Sequence, residues 1–281
     1  MGKNKRTVSV VVCTFGPHLY LSEVLTSLKN QTLKSSQIII IDNNQKRSDF
    51  SKLICGLADV KIIYSPEPNL AVARNTAVKN CDGDLILFLD DDAVPAIDWI
   101  EKIVDGFIKY NSDMIGGRID LSLQKKEPKW FTKSCRLYLS ELKYYNDDIE
   151  IIIPPRYLVG ANMAFSKKTF DKFGLFLKDS GRTGGKLISL DDVEMVRRIY
   201  SQGGKVTYLN SAKVDHIISV SRMTMSYLIK RAFWQGISDA ILENIRPLNQ
   251  KKARKLPLNF TFFLEMTRRL EYLFYRIKSI G

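Results

Sequence analysis

The sequence lacks any run of apolar residues long enough to cross a bilayer, which takes about 18 or more of them. Its N-terminal apolar run, Val8 to Cys13, has the length of a β-strand, and no small-residue cleavage site follows it as in a secretory signal peptide. We therefore expect neither a membrane span nor a signal peptide, and a cytoplasmic protein.

Cysteine is scarce, with 4 residues among 281 that lie far apart and form no C-x-x-C pair. This spacing provides neither a zinc cluster nor a disulfide framework. We therefore expect reduced and mostly buried thiols at Cys13, Cys55, Cys81 and Cys135. Glycine-rich phosphate loops are also missing, because the first strand leads into CTFGPHLY. That segment argues against a dinucleotide oxidoreductase, and against the alternative of a sugar-phosphate nucleotidylyltransferase.

Acidic residues are outnumbered, with 30 Asp and Glu against 43 Lys and Arg and a formal net charge of +13. A basic surface can be merely solvated, or it can attract nucleic acid, anionic lipid or phosphorylated substrates. A non-catalytic nucleic-acid-binding protein would explain the charge, yet it would not explain the segment FLDDDAVP, because clustered carboxylates repel phosphate. We therefore expect no nucleic-acid partner.

The first 110 residues alternate short apolar runs with helical patterns. This alternation predicts an α/β domain with a mostly parallel sheet, right-handed crossovers and flanking helices. The predicted strands are 8–13, 38–41, 60–64 and 85–89, and the predicted helices are 19–29, 70–79 and 99–110. Farther along, the pattern predicts a helix over 190–200 and two short strands, 206–209 and 212–214, that end at Asp215 and His216.

Polar side chains follow three of these strands, at the edge where parallel sheets bind ligands. They are Thr14, then Asp42 to Asn44, and then Asp90 to Asp92. Three adjacent carboxylates repel one another unless a cation neutralises them, and Mg²⁺ or Mn²⁺ prefers oxygen ligands that it shares with substrate phosphates. One aspartate would suffice for the alternative role of an acid at a helix N-terminus. The pattern therefore predicts a metal and diphosphate site.

Other residues complete the predicted chemistry. His216 follows a second apolar stretch and can join the metal ligands, although a lone histidine there can also be a packing residue. The acids Asp191 and Asp192 open a helix, where the dipole favours them, and they also offer the base that an attacking hydroxyl needs. Arg74 lies near the expected phosphate crevice or on the surface, and Gly184-Gly185 is a closing loop or a simple turn.

In combination, the motifs resemble the large family 2 of glycosyltransferases, which have the GT-A fold. The resemblance runs from about residue 8 to residue 240 and includes VSVVVCTF, NLAVARNTAVKNCDGDLILFLDDDAVP, LVGANMAFSKKTFDKFGLF and SLDDVEMVRRIYSQGGKVTYLNSAKVDH, in the order and spacing of the family. It implies an inverting transfer of a sugar from a nucleotide-sugar, with uridine as the usual nucleotide, to a hydroxyl acceptor. The acceptor is a glycan, a lipid-linked compound or a small molecule.

The resemblance also implies site roles. The nucleotide part of the donor would be bound by Thr14, Asp42, Arg74, Asp90 and Asp91. Mn²⁺ or Mg²⁺ would be held by Asp92, Asp90 and His216. The general base would be Asp192, with Asp191 as its catalytic neighbour, and the sugar and acceptor pocket would be lined by Gly160, Ala161 and Asn162.

This chain departs from the family pattern at three points. It has Asp191-Asp192 where the family usually has Glu-Asp, so the base is either of the two. Asn43 replaces an acid that often contacts the base of the nucleotide. The motif Q-x-x-R-W of processive synthases is missing, since KRAFWQG does not match it, which favours the transfer of a single sugar.

We expect a catalytic domain over 1–216, with a nucleotide-sugar part over about 1–118 and an acceptor part over about 119–216. A basic helical extension over 217–281 would follow. From Arg222 onward, twelve basic residues stand against four acidic ones, and the predicted helices mix them with aromatic and aliphatic residues. These helices can lie on the cytoplasmic face of a membrane, or they can pack on the catalytic domain or on a second subunit of a homodimer.

Overall fold

The computed structural model describes residues 6–54, 60–144, 147–148, 157–183 and 186–247. Three expectations lie outside these ranges: the buried thiol of Cys55, the turn at Gly184-Gly185 and the last predicted helix of the basic extension. The free thiols of Cys13 and Cys81 are buried as expected, and that of Cys135 is half-buried.

One mixed sheet forms the centre of the protein, and its strands lie in the order β3-β2-β1-β4-β7-β6-β8-β5. The strands are β1 (Val8–Thr14), β2 (Gln37–Asp42), β3 (Val60–Tyr64), β4 (Leu85–Asp90), β5 (Ala93–Pro95), β6 (Met114–Leu123), β7 (Asn162–Ser166) and β8 (Val206–Ile218). The prediction of a mostly parallel sheet is confirmed, and β7 and β5 are the strands that run antiparallel to their neighbours.

Helices cover the sheet and include α1 (Leu21–Lys29), α2 (Leu70–Asn80), α3 (Trp99–Tyr110), α4 (Lys133–Tyr138), α5 (Lys167–Phe173), α6 (Asp191–Ser201) and α7 (Met225–Ile245). The start of α2 follows directly from the sequence. The side chain of Asn69 accepts hydrogen bonds from the backbone N–H groups of Ala71 and Val72 and so caps the helix. This cap fixes the start of α2, and Arg74 follows in the second turn of the helix.

The register of the parallel strands brings the expected polar residues to one edge. Thr14 pairs with Asp42 across β1 and β2, and Cys13 pairs with Asp90 across β1 and β4. Strand β1 is buried along its whole length, and β4 is buried up to Leu89, as the continuous apolar runs predict. The half-buried Asp90 is therefore the point at which β4 reaches the cleft.

The prediction of two short strands that end at Asp215 and His216 is wrong. A single strand, β8, runs from Val206 to Ile218 beside β6. The ladder between them shifts register between Gly117 and Arg118, so that residues 210–212 of β8 stand outside it without ending the strand. The sequence analysis also missed β6, whose segment MIGGRIDLSL has two glycines in its first half, although residues 118–123 alternate between polar and apolar.

Helix α7 packs against the rest of the chain through one face. Its residues Leu228 and Ala232 join a cluster with Phe131, Leu139 and Ile218. At its other end, Arg246 bonds to the buried Glu194 of α6 at 2.9 Å. This helix therefore packs on the rest of the chain, and its exposed large apolar residues are Met225, Ile229, Phe233, Ile241 and Ile245.

Membrane contact by the exposed face of α7 stays a prediction, as does the cytoplasmic location. Among the described residues, no helix combines the length and the apolar character that a bilayer span requires.

Candidate active site

A cleft with a cavity volume of about 310 Å³ lies at the carboxyl edge of the sheet. Ten of the twelve residues that the sequence assigned to the site line this cleft. They are Thr14, Arg74, Asp90, Asp91, Asp92, Gly160, Ala161, Asp191, Asp192 and His216. Segments that are far apart in the sequence thus meet at one site.

The antiparallel pairing of β5 and β8 brings His216 to the aspartates. Ala93, directly after the third aspartate, pairs with His216. The backbone N–H of Ile217 donates to the carbonyl oxygen of Asp92 at 2.8 Å. As a result, one oxygen of Asp90, one oxygen of Asp92 and one ring nitrogen of His216 all lie within 4.8 Å of one another. Two carboxylate oxygens and an imidazole form a suitable ligand set for Mn²⁺, and for Mg²⁺ when phosphate oxygens complete it.

His216 is oriented for ligation by its second ring nitrogen. Nδ1 donates to the carbonyl oxygen of Leu139 at 3.0 Å, which directs Nε2 toward Oδ1 of Asp92 at 3.1 Å. Burial raises the pKa of Asp92, but His216 and Arg222 more than offset this effect and lower the pKa to about 2. The pKa therefore favours an ionised Asp92, whose carboxylate contacts both His216 and Arg222.

Asp91 differs from its neighbours. Burial, followed by the charge of Asp92, raises the pKa of Asp91 to about 7, although a hydrogen bond from Thr14 opposes the shift. The hydroxyl oxygen of Thr14 also lies 2.6 Å from Nδ1 of His18, to which the sequence analysis gave no role. Nothing in the segment CTFGPHLY indicates this contact, which depends on the fold of the loop after β1.

Asp42 does not line the cleft. Its carboxylate is 1% exposed and accepts hydrogen bonds from the backbone N–H of Ser48 at 2.7 Å and from the side chain of Asn44 at 2.9 Å. Asp42 thus organises the loop after β2, whereas the adjacent Asn43 faces the cleft. A direct contact between Asp42 and a nucleotide stays a prediction.

Asn162 was expected to line the sugar and acceptor pocket, but it lies behind the cleft and does not line it. Its side chain is fully buried and accepts a hydrogen bond from the indole N–H of Trp99 at 2.9 Å. It also donates to the carbonyl oxygens of Arg118 and Ala212. The amide therefore joins α3, β6 and β8, because a buried amide must satisfy its donors and acceptor.

Arg74 is buried, because only 3% of its surface is exposed. The alternative of a surface arginine is therefore excluded. Its guanidinium forms an ion pair with Asp191 and lies 3.5 Å from Oδ1 of Asp90. It occupies the space that a Cβ at position 160 would need, so Gly160 is required for its position. Arg74 thus connects the metal-ligand candidates with the start of α6.

Asp192 accepts two backbone hydrogen bonds, from the N–H of Gly160 at 2.9 Å and from that of Val193 at 2.8 Å. Burial, followed by the charge of Asp191, raises the pKa of Asp192 to about 6. A carboxylate with a pKa near neutrality can both accept a proton and remain mostly ionised at pH 7.

Basic residues of the cleft were missed by the sequence analysis. Arg222, just after β8, donates from Nη1 to Oδ2 of Asp92 at 2.9 Å. Arg182 and Lys186, from the segment before α6, also line the cleft. Their position in the sequence could have indicated them, because Arg222 lies close to His216, and Arg182 and Lys186 lie close to the Asp191-Asp192 pair.

Comparisons with known proteins agree with this site. The model of the family described as Glycosyl transferase family 2 matches residues 9–174. A glucosyl-dolichyl phosphate glucuronosyltransferase of Haloferax volcanii is 28% identical over 249 residues, which are 85% of this chain and 78% of that protein. The poly(ribitol-phosphate) beta-N-acetylglucosaminyltransferase TarP of Staphylococcus aureus is 31% identical over 266 residues, 91% of this chain and 78% of that protein.

A solved structure shows the same fold. The crystal structure of GalNAc-T7 with UDP, GalNAc and Mn²⁺ superposes with a TM-score of 0.60 at 17% identity, over 99% of this chain. The match spans 58% of that structure. Because the family match extends over more than half of the chain and includes Asp90 to Asp92, the chain belongs to the family 2 glycosyltransferases and has their GT-A fold.

Proposed function

We propose that the protein transfers one sugar from a UDP-sugar to a hydroxyl group of a glycan or a lipid-linked sugar, with inversion at the anomeric carbon. The observation that carries this proposal is the state of the aspartates in the cleft. Five aspartates line the cleft. Among the residues that the structure describes, Asp192 is the one of these five whose carboxylate has no side-chain partner. It is therefore free to act on a substrate.

The other aspartates of the cleft are engaged. Asp191 pairs with Arg74, Asp91 bonds Thr14, and Asp92 contacts both His216 and Arg222. Asp90 lies within ion-pair distance of Arg74. This arrangement supports Asp192 as the general base in preference to Asp191, and it leaves no second free carboxylate in the described cleft to act as a covalent nucleophile. A single displacement, which inverts the anomeric centre, is the reaction that one base supports.

Asp90, Asp92 and His216 would hold a divalent ion. When bound, such an ion supplies charge stabilisation for the departing diphosphate. Mn²⁺ and UDP in the GalNAc-T7 structure support this donor and this type of metal. Arg222 contributes a guanidinium beside Asp92, where it can meet the diphosphate. Arg74 is a positioning residue, because its guanidinium is taken up by Asp191 and Asp90.

The acceptor hydroxyl would reach the cleft near Asp192 and Gly160. Asp192 accepts its proton as the oxygen attacks the anomeric carbon, and the two backbone N–H groups hold the carboxylate in place during the transfer. The proteins of H. volcanii and S. aureus described above are named for glucosyl-dolichyl phosphate and poly(ribitol-phosphate). Their names support an acceptor in glycan or glycolipid synthesis.

The test is a thermal-shift and hydrolysis screen of UDP-, GDP- and TDP-sugars with Mn²⁺ or Mg²⁺. We expect metal-dependent stabilisation by UDP-sugars in the native protein and its loss in Asp92→Ala. The Asp192→Asn variant should retain the stabilisation and lose transfer. Stabilisation by no donor with either metal would refute the proposal.

A further inference from the structure

The proposed reaction uses one of the two histidines of the chain, His216, and gives no role to the other. His18 lies in the loop after β1, and its backbone φ of 51° falls in the left-handed region. A residue other than glycine adopts this conformation at a free-energy cost, although Asn, Asp and His are found there more often than the rest. Such residues persist where surrounding contacts hold them, and they are concentrated at functional sites.

The imidazole of His18 connects the end of β1 with the loop that follows β2. Its Nδ1 lies 2.6 Å from the hydroxyl oxygen of Thr14, the last residue of β1. Its Nε2 lies 2.9 Å from the hydroxyl oxygen of Ser48, in the loop after β2. The ring also packs against that of the buried Phe50, with 4.9 Å between the ring centroids. Both ring nitrogens are therefore engaged, each by a different segment.

The hydroxyl of Thr14 determines which ring nitrogen carries the proton. It has a single proton, which it donates to Asp91. Nδ1 of His18 therefore donates to Thr14, and Nε2 accepts from Ser48. Partial burial lowers the pKa of His18, against the opposing charge of Asp42, which favours this neutral ring. One lone pair of the Thr14 oxygen remains, and it can accept from an N–H or O–H group of a ligand in the cleft.

Asp42 anchors the loop after β2 to the same network. Its carboxylate accepts from the backbone N–H of Ser48 at 2.7 Å and from the side-chain amide of Asn44 at 2.9 Å. The hydroxyl oxygen of Ser48 lies 3.2 Å from Oδ1 of Asp42, farther than from His18. Asn44 in turn accepts from the backbone N–H of Gly16 at 2.8 Å, which is a second link between the two loops.

The strand order separates this network from the proposed base. Strands β1 and β2 lie on one side of β4, which leads into the metal-ligand aspartates, and β7 lies on its other side. Gly160, just before β7, donates to Asp192, so the sugar and the acceptor hydroxyl belong on that side. A donor whose diphosphate lies at the metal ligands then extends its nucleoside over the ends of β1 and β2. Thr14 and Asn43 line the cleft there.

On the basis of the proposed function, we propose that His18 is a positioning residue for the nucleoside part of the donor. Its imidazole holds the hydroxyl of Thr14 and the loop after β2 in the arrangement that the nucleoside contacts. His18 acts through Thr14, because it does not itself line the cleft. Loss of the ring should therefore weaken nucleoside binding and leave the diphosphate site and Asp192 unchanged.

The test uses the whole chain and calorimetric titration with UDP, GDP, TDP or pyrophosphate, each in the presence of Mg²⁺. Pyrophosphate is the probe for the diphosphate site, because it lacks a nucleoside. The variants are His18→Gly and His18→Asn, since both substitutions tolerate a left-handed backbone and remove the imidazole. The matched control is Leu19→Ala, which shortens the adjacent side chain of the same loop, 68% exposed.

We expect the native protein and Leu19→Ala to bind UDP equally, and both His18 variants to bind it about tenfold more weakly. Pyrophosphate affinity should change less than about twofold in all of these proteins. In hydrolysis of the UDP-sugar, KM should rise about tenfold and kcat should stay within about twofold, which a general loss of structure would not produce. Unchanged UDP affinity in both His18 variants, or an equal loss of pyrophosphate affinity, would overturn the inference.

Ser48→Ala tests the network from the other loop, even if neither His18 variant folds. Alone it should weaken UDP binding, because Nε2 of His18 loses its partner. Combined with His18→Gly it should add little, because the two residues act through one set of hydrogen bonds. Losses of UDP affinity that add fully would overturn the shared network.

The three nucleotides separate this inference from the proposed function. UDP binding that is unaffected in the His18 variants overturns the inference alone. If the native protein binds GDP or TDP instead and the His18 variants weaken that binding, the inference stands and the UDP assignment fails. Pyrophosphate binding without binding of any nucleotide would overturn both.

Discussion

The guanidinium of Arg74 and the carboxylate of Asp191 form an ion pair in which each side chain is 3% exposed. This pair distinguishes two adjacent aspartates, because it takes up Asp191, whereas the carboxylate of Asp192 has no side-chain partner among the described residues. The arrangement supports the proposal of Asp192 as the base, and it leads to distinct expectations for the variants of the two acids.

Asp192→Asn should abolish sugar transfer and leave donor binding intact. The substitution preserves shape but removes the proton acceptor, so we expect kcat to fall by about 10²- to 10⁴-fold. Sugar transfer is measured from a UDP-sugar to an extract that contains acceptors, and UDP affinity is measured by calorimetry. A variant that retains native kcat would exclude Asp192 as the base.

Asp191→Asn should act mainly on stability. It leaves the buried Arg74 without its counter-charge, and breaking a buried ion pair costs about 3 kcal/mol. Urea denaturation of Asp191→Asn and Asp192→Asn measures the free energy of unfolding that each variant loses. A loss for Asp191→Asn no larger than for Asp192→Asn would contradict the assignment of the pair.

The pH dependence of transfer should follow the ionisation of Asp192. Its pKa is raised to about 6 by burial and by Asp191, and the base must be deprotonated to act. We therefore expect kcat/KM to fall about tenfold for each pH unit below pH 6. Asp91, with a pKa raised to about 7, titrates nearby, so the residual activity of Asp192→Asn serves as the control. If that activity shows the same acidic limb, the limb belongs to another group.

Stability should depend on pH in the opposite sense. The pKa of Asp192 is about 6 in the folded protein against an ordinary value of 3.8, so the folded state binds this proton more tightly. The stabilisation of the folded state by this proton is fully present below about pH 4 and is lost as the pH rises through 6. At pH 7.5, Asp192→Asn should therefore be more stable than the native protein by up to about 3 kcal/mol, a gap that narrows toward pH 4. Unfolding at both pH values is the measurement.

Gly160→Ala should disturb the cleft through Arg74. The added Cβ would meet the guanidinium of Arg74, and we expect a loss of about 2 kcal/mol together with reduced transfer. The control is Gly236→Ala on α7, where a Cβ meets nothing within 4 Å. This control should be neutral or slightly stabilising, because alanine favours a helix. Similar thermal unfolding of both variants would exclude the close packing of Gly160 and Arg74.

Metal binding should depend on His216. His216→Ala removes one of the three candidate ligands, and we expect the apparent Mn²⁺ affinity in the presence of UDP to fall at least about tenfold. The control is Asp215→Asn, whose half-exposed carboxylate pairs with Lys213, two residues earlier on β8. A metal response that is equal in the two variants would remove His216 from the site.

The primary sequence was sufficient for the parallel half of the fold and for half of the cleft. Strand and helix periods, which are local, placed β1 to β4 and their helices. The rule that ligands bind at strand ends then brought Thr14 and Asp90 to Asp92 together. These inferences hold because a buried parallel strand is a continuous apolar run whose last residue marks the edge of the sheet.

The remaining features depend on contacts between distant segments, and no local pattern encodes them. His216 reaches Asp92 because β5 pairs with β8, and Arg74 is buried because Gly160 leaves room for it beside Asp191. Asn162 lies behind the cleft because its amide satisfies Trp99 and two strand carbonyls. In each case the role of the residue is determined by its partners, and the partners are specified by the packing of the whole chain.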